Sequence, residues 1–325
     1  MFTLKKEKNK PFVILQLTDL QIIDPNQMCA PDRLRQDEID KWQDVNECGF
    51  DQIKKLVDMV KPDWIIHTGD QIYGEFDGKG TSFKKFVKLM ESFKIPWSFV
   101  NGNHDGEIVI PWKGQNYKCG KGCQWHADYV KKHTKYCLYE QGDIEMGYGN
   151  YCIRLKEGNK TIWSFIMMDT HGARNEGIGP YPSQMKWLKR VFNSLNNNGP
   201  VNNFMFYHIP NYEFVLAATK YYGDQICTIT ADGTKNERGD FGKNKEKVCF
   251  FKDESFWNYI KAQGNTKAIF VGHDHINDSS IEYEEIRLTY GVKLGSYDYH
   301  DEKIQGATKI TIDDGDYDIK QIFTK

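Results

Sequence analysis

No apolar run in the 325-residue chain approaches the ~20 residues that a membrane-crossing helix needs. Charge of one dominant sign is also lacking: the formal net charge is −2, which gives no electrostatic reason to expect nucleic acid or an anionic membrane as a partner. There is no internal repeat and no recognisable linker, so one domain over residues 1–325 is the expectation. The opening MFTLKKEKNK is basic but has no apolar stretch of signal-peptide length before Pro11. That suits either a cytosolic chain or a mature form whose signal has been lost.

The composition that remains, 39% hydrophobic and 27% charged, is that of a globular protein with a sizeable core. Aromatic residues, at 14%, are plentiful and suggest a thick core or an aromatic-walled cleft. The eight cysteines are even in number, and Cys119, Cys123 and Cys137 lie in a polar, Gly- and Lys-rich stretch. Two glycosylation-type triplets, Asn159-Lys160-Thr161 and Asn277-Asp278-Ser279, accompany them. Together these favour disulfides and a secretory or extracellular location, with reduced cysteines in the cytoplasm as the alternative. Cys119 and Cys123 lack a second ligand pair of matching spacing, so a zinc site is not expected there.

Six short runs rich in β-branched and aromatic residues read as buried strands: 12–17 (FVILQL), 64–67 (WIIH), 97–100 (WSFV), 162–168 (IWSFIMM), 204–207 (FMFY) and 268–271 (AIFV). Segments of helical period lie at 50–60, 83–93 and 185–195, the last with Ser183 placed as its cap. Runs apolar along their whole length, alternating with helices, imply an α/β fold whose sheet is covered on both faces. Residues 281–323 turn to strands and turns, including 308–312 and 318–323. Two polar stretches, 112–149 and 228–247, read as insertions. The mixed-charge run 32–44 reads as a solvated helix face.

Five of the six strand runs end in Asp, Asn or His. FVILQL leads into Asp19 and Gln21, WIIHT into Gly69-Asp70 and Tyr73, and WSFV into Asn103-His104-Asp105. FMFY leads into His208, and AIFV into Gly272-His273-Asp274-His275. Ligands of α/β sheets bind outside the carboxyl ends of the strands, so these groups can converge on one spot. Carboxylate, amide oxygen and imidazole suit Fe, Zn, Mn or Co. Two such ions about 3.5–4 Å apart, sharing a carboxylate, support phosphoester hydrolysis. His104, beside a carboxylate such as Asp105, is placed to donate to the leaving oxygen. His171, His126, His133 and Tyr212 are weaker candidates for the wall of a substrate cleft.

The order D-x-Q, G-D-x-x-Y, G-N-H-D, H and G-H-x-H resembles the calcineurin-like metallophosphoesterases. It looks closest to the purple acid phosphatases and their shorter 29-like subgroup of plants and fungi. Residues 272–278 (GHDHIND), 290–295 (YGVKLG) and Gly306-Ala307 extend the likeness over nearly the whole chain. The resemblance implies a four-layer α/β/β/α sandwich of two mixed sheets with a binuclear centre at one edge. Asp70 would bridge the ions, Asp19 and His275 would hold the first, and Asn103, His208 and His273 the second. His104 would be the donor, oriented by Asp105. Gln21 stands where many members have His, and Tyr73 where the purple enzymes place a tyrosinate, so either could complete the first site. Iron with Fe, Zn or Mn is the expected pair, with Mn/Mn or Zn/Zn as alternatives. The implied activity is phosphatase action on a small phosphorylated substrate. A phosphodiesterase or nucleotide diphosphatase and a non-catalytic scaffold are the other readings.

Overall fold

In the computed structural model, which describes residues 1–172 and 178–324, the strand runs fall into two mixed sheets. In chain order the elements are β1 (Phe2–Lys6), β2 (Phe12–Leu17), α1 (Gln36–Val60), β3 (Trp64–Thr68), α2 (Thr81–Ser92), β4 (Trp97–Val100), β5 (Val109–Trp112), β6 (Gln115–Lys118) and α3 (Gly122–His133). There follow β7 (Tyr151–Glu157), β8 (Lys160–Met167), α4 (Pro182–Asn196), β9 (Asn202–Phe206), α5 (Glu213–Tyr222), β10 (Cys227–Thr228), β11 (Lys243–Asn244), α6 (Glu254–Gln263) and β12 (Thr266–Val271). The chain closes with β13 (Ser280–Tyr283), β14 (Ile286–Tyr290), β15 (Gly306–Asp313) and β16 (Asp316–Phe323).

One sheet has five strands in the order β16-β15-β2-β3-β4, the other seven in the order β1-β7-β8-β9-β12-β14-β13. The central strands β2, β3 and β4 are parallel, as are β8, β9, β12 and β14. All the carboxyl ends that carry polar residues therefore leave their sheets in a common direction within each sheet.

Strand alternation creates three cores, because successive side chains point to opposite faces. Ile14, Trp64 and Ile66 face inward and meet Phe165, Phe204, Phe206 and Phe270 of the larger sheet. Trp64 stacks on Phe165 at 4.8 Å and meets Phe206 edge-on at 5.6 Å. The neighbours Leu15 and Ile65 face outward onto Ile53 and Leu56 of α1 and Phe83 and Phe86 of α2. Met205 and Ile269 likewise face Leu188 and Phe192 of α4 and Phe256 and Ile260 of α6. The result is helices, sheet, sheet, helices. Each buried Phe or Leu in these layers contributes roughly 1.5–3 kcal/mol of transfer free energy.

Several local expectations change. Helix α1 begins at Gln36, not near residue 50, so most of the charged run lies on its exposed first turns. Ser183 does not cap α4. Pro182 opens that helix, Gln184 Oε1 accepts from Tyr181 N at 2.6 Å, and Ser183 Oγ donates to Glu145 O. Residues 112–149 carry α3, whose Val130 and Trp125 pack on the outer core of the smaller sheet. Cys119 is bonded to Cys29, while Cys48, Cys123, Cys137, Cys152 and Cys227 are not in disulfides. Of the two triplets, Asn159 is exposed in the β7–β8 turn. Asn277 is buried, and its Oδ1 accepts from Lys245 N and Glu246 N, so it is closed to modification in the folded chain.

Candidate metal centre

Backbone geometry at the strand ends is unusual where the site residues sit. Asp19, Gln21, Asp70 and His273 have φ of 52°, 50°, 54° and 76°, in the left-handed region that costs a non-glycine residue of order 1–3 kcal/mol. Gly102 lies so close that a Cβ there would be 2.1 Å from Asp70 Oδ1 and 2.4 Å from Asp70 N. Buried Asp105 ties the loops together, accepting from Asp70 N and Gly102 N at 2.8 Å each and from Ile72 N at 3.1 Å. It therefore fixes the backbone beneath Asp70, and does not orient His104. The partner of His104 is Glu107, with Nδ1 to Oε1 at 2.9 Å.

Two donor groups result. One ligand atom each from Asp70, His208 and His273 lies within 4.8 Å of the others, and so do atoms from Asp19, Asp70 and His275. Asp70 belongs to both. Asn103 Oδ1 lies 3.0 Å from His208 Nε2 and joins the first group. The histidine tautomers follow from their outer partners. His208 Nδ1 faces Thr68 O at 2.8 Å and His275 Nδ1 faces Tyr299 O at 3.0 Å. A carbonyl only accepts, so each Nδ1 carries hydrogen and each Nε2 is left for a ligand. His208 Nε2 points at Asp70 Oδ2, 3.4 Å away, and His275 Nε2 at Asp19 Oδ1, 3.7 Å away. Lone pairs aimed at carboxylates in a buried cluster fit a cation between them.

Where no cation sits between them, protons balance the carboxylates instead. Burial opposes ionisation of Asp70, but His208 and His104 outweigh it and hold the carboxyl below its usual range. Burial likewise opposes charge on His208 and His104, yet Asp70 raises the first to about 10, and Asp70 with Glu107 raises the second to about 9. Asp19 is pushed up, by burial first. His273 falls to about 3 through burial and the nearby His208. The cluster thus recruits positive charge from its own side chains.

The oxygens of the two alternative ligands of the first site are engaged by other residues. The Tyr73 hydroxyl donates to Asp298, and its ring packs on His104 with centroids 4.1 Å apart. Burial and Asp298 keep that phenol protonated, well above its ordinary value. Gln21 Oε1 accepts from buried Lys293 Nζ at 2.5 Å, and its Nε2 faces Asp70 Oδ2 at 3.3 Å. Lys293 and Glu107 were not anticipated from the sequence. Glu107 had a readable signal, since three residues is a turn's reach from His104; Lys293 lies within the 290–295 segment of the family likeness, but no spacing tied it to the cluster.

Two cavities flank the 103–107 loop, the smaller lined by His104 and the larger by Asn103 and Glu107. The smaller, about 160 Å³, is lined by Asp70, His104, Lys247, His273, His275 and Asp298. The larger, about 620 Å³, is walled by Ile108 and Val109 of the β5–β6 hairpin, by Lys121, and by Ile178 and Tyr181. His171 reaches this cavity, stacked on Tyr181 at 3.8 Å and bonded to Gln184. His126 and His133 lie on α3 instead, His126 stacked in the core on Phe83 and His133 against Tyr129. Tyr212 packs on Phe250.

Known proteins share this plan. The chain is 26% identical over 320 residues to the Arabidopsis thaliana protein named probable inactive purple acid phosphatase 29, covering 90% of this chain and 73% of that one. It is 25% identical over 307 residues to phosphatase DCR2 of Saccharomyces cerevisiae, covering 86% of this chain and 47% of that one. A crystal structure of a dimetal phosphatase from Danio rerio superposes with a TM-score of 0.57 at 10% identity, over 96% of this chain and 97% of that one. At that identity the likeness concerns the fold alone. The sequence profile of calcineurin-like phosphoesterases matches residues 12–277, from the first strand of the cluster to the loop holding His273 and His275, and the chain belongs to that family.

Proposed function

We propose that this chain is a metal-dependent phosphatase acting on monoesters of small organic alcohols. The observation that carries the reading is Asp70, common to two donor groups, with a hydrogen-bonded His104–Glu107 pair beside it. Asp70, Asn103, His208 and His273 would hold one ion, and Asp19, Asp70 and His275 the other. Such ions supply positive charge against phosphoryl oxygens and make water acidic enough to attack at neutral pH.

The chain's own residues do the rest. His104, paired with Glu107 and facing the smaller cavity, is placed to give a proton to the departing oxygen. Glu107 holds the imidazole in place and favours its charged form. Ile108, Val109 and Ile178 keep water from the organic part of the ester in the larger cavity. Lys121 is the one Lys or Arg among the described residues lining that cavity, which supports a singly phosphorylated substrate over a nucleotide polyphosphate.

The names of the plant relatives support a second reading, a family member that keeps the fold without turnover. Elemental analysis of the purified protein, run beside a panel of aryl, alkyl and sugar phosphates and a diester, separates them. Metal with direct release of phosphate from monoesters is the expected result. Phosphate appearing only after a second phosphatase is added would make it a diesterase. Bound metal with no turnover on any ester would favour the scaffold.

A further inference from the structure

Lys293 is 2% exposed at the edge of the metal cluster. Its backbone is fixed, since Leu294 N donates to Thr18 O at 3.0 Å and Gly306 N to Lys293 O at 3.1 Å. Its ammonium donates to Asp19 O at 2.8 Å and to Gln21 Oε1 at 2.5 Å, both uncharged oxygens. An ammonium has only donors, so the Gln21 atom that faces it has to be the oxygen. The amide nitrogen is then the atom left facing Asp70, 3.3 Å from Oδ2. An amide N–H donates and cannot ligate a cation. Burial lowers the Lys293 pKa to about 8, against the pull of Asp19, Asp298, Asp70 and Glu246. Its side-chain contacts are with Gln21 and with the backbone of Asp19, an acidic donor of the first metal position.

We propose that Lys293 is a built-in cation of the first metal position. It withdraws Gln21 from the ligand set, so this position is one donor poorer and holds its ion more weakly than the one formed by Asp70, Asn103, His208 and His273. The inference rests on the ligand sets given under the proposed function. Lys293 acts through Gln21 and is a positioning residue. Two consequences follow in the protein's behaviour: the ions load in sequence, and the second is lost first when free metal falls.

The test is calorimetric titration of metal-stripped protein with Mn²⁺, with elemental analysis after gel filtration in metal-free buffer. The wild type is expected to show two binding events separated by at least about tenfold in Kd, and to retain one ion per chain through the column. Lys293→Met removes the charge at similar length, and should tighten the weaker event about tenfold or more and retain the second ion. Gln21→Met serves as an independent variant that leaves the ammonium in place. It should leave both events unchanged, because Gln21 offers no donor oxygen to the metal. Two equal events in the wild type, an unaltered weaker event in folded Lys293→Met, or loss of an ion in Gln21→Met would each overturn the proposal. No Mn²⁺ or Zn²⁺ binding to any form would instead overturn the ligand sets themselves.

Discussion

His104 Nδ1 lies 2.9 Å from Glu107 Oε1, three residues further along the chain, while the adjacent Asp105 turns away to hold three backbone amides. The two carboxylates therefore have separable effects. His104→Ala should lower kcat by roughly 10²–10⁴, the usual range for a positioned acid, with metal content intact. Glu107→Gln should lower kcat less and also spare the metals. Asp105→Asn should disturb metal content, because its partners are the amides around Asp70. Loss of metal in His104→Ala would show that this histidine is a ligand.

Asp70 is the donor shared by both groups, so Asp70→Ala is expected to abolish turnover and reduce bound metal at both positions. Chelation of the wild type should lower Tm, because an ion that binds only the folded chain adds about 2.7 kcal/mol when its free concentration is a hundred times Kd. Melting curves with and without chelator, on wild type and Asp70→Ala, give the answer. An unchanged Tm in chelated wild type would argue against a loaded centre.

With the Tyr73 hydroxyl donated to Asp298, the first position has carboxylates and imidazole but no phenolate. Divalent Mn or Zn suits that set better than trivalent iron, and concentrated protein should be colourless. Tyr73→Phe should lose one hydrogen bond, about 1 kcal/mol, and keep its metals. A violet protein whose colour vanishes in Tyr73→Phe would reinstate the iron–tyrosinate pair.

Gly102 has an ordinary φ, so its requirement is for space alone. In Gly102→Ala the new methyl meets both the carboxylate and the amide of Asp70. Overpacking of this kind costs typically about 1–3 kcal/mol, and the group displaced is the shared ligand. Reduced metal content in a chain with native circular dichroism is the expected result; full occupancy would mean that the loop yields instead.

Asp77 caps α2, accepting from Ser82 N at 2.8 Å and Phe83 N at 3.0 Å. Burial raises its pKa to about 6, against the pull of those two amides. The folded chain then holds this proton more tightly than the unfolded one. The contribution is fully present below the unfolded value of 3.8 and is lost as pH rises through about 6. Asp77→Asn keeps an acceptor but cannot ionise. Measured by urea unfolding, the stability of wild type minus variant should fall between pH 4 and 6.5 and then level off. A difference that rises with pH would reverse the sign assigned here.

Much of the site was legible because strand ends are local features. An apolar run that stops at Asp, Asn or His marks both the end of a strand and the residue it delivers, and Asp19, Asp70, Asn103, His208 and His273 do converge. The partners of those residues were less legible. Asp105 follows His104 directly, yet its side chain turns to the amides of Asp70, Gly102 and Ile72, a contact set by the packing of two loops. Lys293 reaches Gln21 across 272 positions, and a lysine in a loop carries no periodicity to announce burial. The start of α1 was hidden for a different reason: its first turns are exposed and polar, so hydrophobic spacing detects only the half that packs.

The candidate ligand residues are divided between the two sheets. Asp19, Asp70 and Asn103 follow β2, β3 and β4 of one, while His208, His273 and His275 follow β9 and β12 of the other. An ion seated among them is therefore a rivet through the seam of the sandwich. Mechanical load or denaturant that prises the sheets apart must first break coordination at that rim. The Trp64–Phe165 contact deeper in the seam is held by dispersion and burial alone. Emptying the centre should accordingly speed exchange of amides at the ends of β3 and β9 before it is felt in the middle of either strand.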